Sequence, residues 1–124
     1  MLNQLATEIH ENAKSKGFFD GEKNIGEMLC LIHSEVSEAL EADRKNYYSN
    51  ISEIKLKGLA DENSAEKFKD VFTECVKDTF EDELADVVIR VFDLCAFKGI
   101  DIESHIKAKM RYNASRPHKH GKLY

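Results

Sequence analysis

Glu83–Phe97, ELADVVIRVFDLCAF, is the stretch whose reading decides the fold. Its polar residues Glu83, Asp86, Arg90 and Asp93 recur every three or four positions, and everything else except the small Ala85 and Ala96 is bulky and apolar or cysteine. That is the period of one helical face. A helix with so thin a polar strip is expected to lie centrally and to be covered on nearly every side. A buried strand is the competing reading, because Val87, Val88, Ile89 and Val91 are β-branched. The run is longer than the roughly 5–6 residues of a usual strand, and no hairpin signal flanks it. Upstream, Thr79 and Asp82 fit a capping box, which places a break near Lys77–Phe80. Downstream, Gly99 stops the helix and Asp101 caps another through Ile102, Ile106 and Met110.

The rest of the chain repeats the helical period. Leu2, Leu5, Ala6, Ile9 and Ala13 form one stripe that ends near Gly17. Asn24 with Glu27 opens a helix through Met28, Leu29, Ile32, Val36, Ala39 and Leu40 to about Lys45. Residues 46–62 read as a connection with at most one short helical turn. Asn63 with Glu66 caps a narrower stripe of Phe68, Val71, Phe72, Cys75 and Val76. The expectation is a single all-α domain over 1–124, a bundle of four to five helices, with an irregular basic tail over about 114–124.

Composition narrows the function classes. The 124 residues are 33% charged with a net charge of −5, one proline and six glycines. An acidic chain is poorly suited to sequence-independent nucleic-acid binding, which depends on neutralising phosphates. No apolar run approaches the roughly 20 residues that span a bilayer, and the N-terminus lacks a signal-peptide pattern. Cys30, Cys75 and Cys95 are too scattered for a disulfide framework or a zinc knuckle. A cytoplasmic protein without membrane or nucleic-acid partners is therefore expected. The charge is lopsided: Ser104–Tyr124 carries six Lys and Arg and no acid, leaving −11 on the first 103 residues. An acidic body with a basic arm suits a site that handles cations and anions together.

Two carboxylate pairs carry the chemical signal. Glu35 and Glu38 in HSEVSEAL, and Glu83 and Asp86 in ELAD, are each three residues apart and adjacent on their helices. Glu35 falls inside the core-facing arc of its helix and Glu38 borders it. Acids facing a core are costly unless paired or bound to a cation. Four acids on two facing helices make a hard oxygen cage of the kind Mg²⁺ favours, with Mn²⁺ as a substitute. The competing reading is two ordinary surface pairs satisfied by water or by Arg90. A di-iron centre is excluded because none of the five histidines follows a glutamate at the Glu-x-x-His spacing. His105, Lys109 and Asn113 share a helical face. Lys109 and Arg116 suit phosphates, and Asn113 suits a phosphate, sugar or base.

The ordered set SEVSE, ELADVVIRVFDL and KMRYNASRPHKHGK resembles the MazG-like all-α nucleoside triphosphate pyrophosphohydrolases, over roughly residues 25–45 and 81–122. The resemblance implies Mg²⁺-dependent hydrolysis of an NTP or dNTP to the monophosphate and pyrophosphate. Glu35, Glu38, Glu83 and Asp86 would be metal-binding and catalytic. Lys109, Asn113 and Arg116 would bind the nucleoside triphosphate, and the chain would assemble as a homodimer or homotetramer. The 44 residues between Glu38 and Glu83 exceed the connection of compact members, so 46–80 reads as an insertion that shapes the base pocket or a subunit contact. The reading from a different class is a non-catalytic helical module for nucleotide sensing or dimerisation.

Overall fold

The computed structural model describes residues 1–124 and contains six α-helices and no strand. They are α1 (Leu2–Ser15), α2 (Ile25–Arg44), α3 (Glu53–Leu59), α4 (Ala65–Cys75), α5 (Phe80–Phe97) and α6 (Ile102–Ala114), followed by a 3₁₀ turn over His118–Gly121. The all-α class stands. The count exceeds four to five because the 46–62 connection holds α3, capped by the Ser52 side chain accepting from the Lys55 amide. In the tail, the turn over His118–Gly121 departs from helical geometry, with φ of 51° at Lys119 and 55° at His120.

Met1–Lys23 with Val91–Tyr124 form one compact unit, and Asn24–Arg90 form the other. In the first, α1 packs on α6. Asn3 fastens the start of α6: its Nδ2 donates to Asp101 Oδ1 at 2.7 Å and its Oδ1 accepts from the Glu103 amide at 3.2 Å. Asp101 also caps α6 by accepting from the Ser104 amide. Gly99 turns the chain between α5 and α6 with φ of +67°, a conformation that glycine adopts without steric cost. His10 joins α1 to the second half of α5, its Nδ1 standing 2.8 Å from Asp93 Oδ1 among the rings of Phe19 and Phe97.

In the second unit the buried residues include Ala39 and Ala42 of α2, Leu59 of α3, and Val76 and Thr79 between α4 and α5. Small side chains on α2 allow neighbouring elements to approach closely. Asn24 caps α2 by accepting from the Glu27 amide at 3.0 Å. The cap of α4 is Ser64 rather than Asn63, its side chain accepting from Lys67 N. The break before α5 lies where the capping residues placed it. Thr79, 1% exposed, accepts from the Asp82 amide and donates to Val76 O at 2.6 Å. The Tyr47–Asn50 segment is bonded across to the same corner. Tyr47 O accepts from the Phe80 amide, Ser49 N donates to Glu81 Oε2, and Asn50 N donates to Cys75 O. The 46–80 excursion therefore leaves and returns at one anchored point, which fixes where α5 begins.

One expectation is corrected. Within a single chain α5 is not covered all round: Leu84 is 44% and Val88 48% exposed, and Ile89 and Phe97 are also open. Only Glu83, Phe92 and Cys95 of this helix are buried. Most of the exposed apolar residues stand in the first half of α5, whereas Phe92 and Cys95 are buried in its second half. The apolar residues Leu29, Val36 and Leu40 of α2 are similarly exposed, and their spacing of seven and four aligns them along one line of the helix. No helix is long and apolar enough to cross a membrane.

Candidate functional site

Both acidic pairs lie in the Asn24–Arg90 unit. α2 carries Glu35 and Glu38 on consecutive turns, and the first half of α5 carries Glu83 and Asp86. Glu35 and Glu83 are buried, at 7% and 8% exposure, whereas Glu38 is exposed. One carboxylate oxygen from each of Glu35, Glu38 and Glu83 lies within 4.8 Å of the others. The structure thus gathers three of the four expected acids. Asp86 stands outside that group, half-buried, yet close enough for its charge to act on Glu38 and Glu83.

Arg90 completes the cluster. Its Nε donates to Glu35 Oε1 at 2.6 Å. Its partner is therefore a glutamate on the facing helix, not Asp86 one turn back, with which it makes no ion pair. The reach of the guanidinium and the inward position of Glu35 outweigh the local i,i+4 option.

The environment shifts the four carboxyl groups unequally. Glu83 is pushed from 4.5 up to about 7, first by burial and then by the negative charge of Glu38 and its hydrogen bond. Asp86 is raised by burial and by the nearby charge of Asp82. Glu38 is raised chiefly by its hydrogen bond and charge interaction with Glu35. Glu35 goes the other way. Burial opposes its ionisation, but hydrogen bonds from Glu38 and Arg90, together with the Arg90 charge, hold it below the usual glutamate range. Three of the four are raised. The fourth is anchored by an arginine.

Hard oxygen donors in this number suit a divalent cation with retained water, Mg²⁺ or Mn²⁺, and not a soft-metal site. Three carboxylates with one guanidinium carry a formal charge of −2 when fully ionised, so a divalent ion balances them. Glu35 is fixed by Arg90, while Glu38 is exposed to solvent.

The cationic residues lie in the other unit, at the end of α6 and just beyond it. Lys109 Nζ sits 5.0 Å from the ring centroid of Tyr112, and Arg116 Cζ sits 5.5 Å from the same ring. Neither cation makes an ion pair, although ten other pairs form along the chain. Asn113 Oδ1 is buried without a hydrogen-bond partner. Such an orphaned acceptor costs about 1–3 kcal/mol, and a ligand hydroxyl or amino group would relieve it. His105, expected on the Lys109–Asn113 face, contributes no side-chain bond. The same unit has a cavity of about 390 Å³ lined by Asn3, Thr7, His10, Gly99 and Asp101 among others, none of them an expected site residue.

Sequence reasoning missed two arrangements. The first is Tyr112, although Lys109, Tyr112 and Arg116 are spaced three and four apart, which is a face signal. The second is the His10–Asp93 pair. His10 adjoins the apolar stripe of α1 and Asp93 ends the polar strip of α5, and periodicity within each helix does not pair residues 83 positions apart. No family model, curated protein or solved structure matches the chain.

Proposed function

We propose that the chain is a Mg²⁺-dependent nucleoside triphosphate pyrophosphohydrolase of the MazG-like kind, acting in the cytoplasm as a homodimer or homotetramer. The observation that carries this reading is the convergence of Glu35, Glu38 and Glu83 within 4.8 Å, with two of the three buried. Buried acids gathered this closely are destabilising on their own, and a cation is the simplest compensation. Glu35, Glu38 and Glu83 would hold it. When bound, Mg²⁺ supplies charge neutralisation of the triphosphate and a lowered pKa for water.

The chain's own residues do the rest in this reading. Arg90 holds the Glu35 carboxylate in one orientation. Asp86, outside the three-carboxylate group, takes the catalytic part of its two expected roles and orients the attacking water. Lys109 and Arg116, which no carboxylate neutralises, hold the phosphates of the bound nucleotide. Asn113 offers a buried acceptor to a sugar or base donor. The exposed Leu29–Val36–Leu40 line on α2 and Leu84 with Val88 on α5 support burial against a second copy, because isolated exposed apolar residues are ordinary but aligned ones mark contacts.

A panel of ribo- and deoxynucleoside triphosphates with Mg²⁺, assayed separately for pyrophosphate and orthophosphate, tests the proposal. The parent should release pyrophosphate, and Glu38→Gln and Asp86→Asn should lose turnover while remaining folded. Equal activity in parent and both variants would overturn it.

A further inference from the structure

Lys109 and Arg116 repel one another, yet both approach one aromatic ring from within 5.5 Å. No carboxylate is available locally to draw them together, since Ser104–Tyr124 contains no acid. The ring is what they share. An aromatic face attracts cations through its quadrupole, and the carbonyl end of α6 adds partial negative charge close by. Arg116 is also held at both ends: its backbone amide donates to Asn113 O at 3.1 Å, and its side-chain Nη2 donates to His120 O at 3.5 Å. The Tyr112 backbone is in turn gripped by Ser115, whose Oγ donates to Tyr112 O at 2.6 Å.

We propose that Tyr112 is the positioning residue for Lys109 and Arg116, and that its ring presents them as one clamp for adjacent phosphates. This rests on the reading above, in which those cations take the substrate's phosphates. Long cationic side chains lose much rotamer freedom when a ligand orders them. A ring that gathers them in advance removes part of that loss before the polyanion arrives. The ring itself contacts no reacting atom. Removing it therefore weakens phosphate binding and leaves the chemical step alone.

Tyr112→Leu and Tyr112→Phe separate this role from a structural one. Tyr112 is 57% exposed, so neither change should move the melting temperature appreciably. Tyr112→Leu should raise KM for the nucleotide by roughly five- to thirty-fold, the combined effect of two exposed ring–cation contacts, with kcat within about two-fold. Tyr112→Phe keeps the face and should restore KM to within about two-fold of the parent. Calorimetry with inorganic tripolyphosphate, without Mg²⁺ and so without turnover, should show the same order: parent and Tyr112→Phe alike, Tyr112→Leu weaker by the same factor. An unchanged KM in Tyr112→Leu, a fall in kcat alone, equal defects in both variants, or no tripolyphosphate binding by the parent would each overturn the assignment. Failure of the parent to hydrolyse any nucleotide would instead remove the enzymatic reading. The tripolyphosphate arms would then still decide the role of Tyr112.

Discussion

Replacing Glu83 with glutamine should make the metal-free protein more stable at pH 8 and stabilise it much less at pH 5. Glu83 is raised from 4.5 to about 7, chiefly by burial and then by the charge of Glu38. Between those two values the native state binds more protons than the unfolded chain, so stability falls as pH rises through the window. Above about 7 the native carboxylate is ionised and its full penalty is present. At 1.36 kcal/mol per pH unit this is at most about 3 kcal/mol, and the solvent around Glu38 reduces it toward about 2 kcal/mol. Glutamine keeps the shape, carries no charge, and can donate to the neighbouring carboxylates. Glu35 does not confuse the window. Burial works against its ionisation, but the hydrogen bonds from Glu38 and Arg90 prevail and lower it, so its contribution is present above 4.5 and is lost only as pH falls below that. The assay is urea denaturation of parent and Glu83→Gln at pH 5, 6, 7 and 8, in chelator and at one protein concentration. The gap between the two should widen from under about 1 kcal/mol at pH 5 to about 2–3 kcal/mol at pH 8. Adding Mg²⁺ should close it by stabilising the parent. A gap independent of pH, or a variant less stable than the parent at pH 8, would refute the electrostatic account.

Three further outcomes follow from the same structure. Arg90→Ala strips Glu35 of its charged donor and should cost about 1.5–3 kcal/mol near neutral pH by chemical denaturation. A loss under 0.5 kcal/mol would mean that solvent replaces the guanidinium. Thr79→Val keeps the buried shape but deletes the α5 cap and the bond to Val76 O, and should cost about 1–2 kcal/mol. Hydrogen exchange should show the loosening first at the start of α5, and uniform loosening would contradict a capping role. Sedimentation at micromolar concentration should find at least a dimer for the parent. Val36→Lys with Leu40→Lys should shift it toward monomer, and a monomeric parent would refute the assembly.

The parts of the fold that sequence revealed are those with local causes. The corner at Thr79, the caps at Asn24 and Asp101, and the turn at Gly99 each depend on side chains within about four residues of the backbone they serve. Helix α3 was hidden because it is seven residues long and shows no stripe, with Ile54 almost fully exposed. The cap of α4 was misplaced by one residue because Asn63 and Ser64 are adjacent and both of capping type. At the site, the helical wheel identified Glu35 as facing inward but left the equally buried Glu83 on the polar strip of α5. It could not choose the partner of Arg90, since Glu35 is 55 residues away and periodicity reports only neighbours on the same helix. The exposed apolar residues of α5 have a similar origin: apolarity says that a surface wants cover, not whether the same chain provides it.

The most direct measurement of the central claim is ³¹P NMR of nucleoside triphosphate hydrolysis by the parent protein with Mg²⁺ in ¹⁸O-labelled water. Cleavage between the α and β phosphates should yield monophosphate and pyrophosphate as the only phosphorus products, with the label on the monophosphate. Nucleoside diphosphate with labelled orthophosphate, or no turnover across the nucleotide panel, would contradict the account.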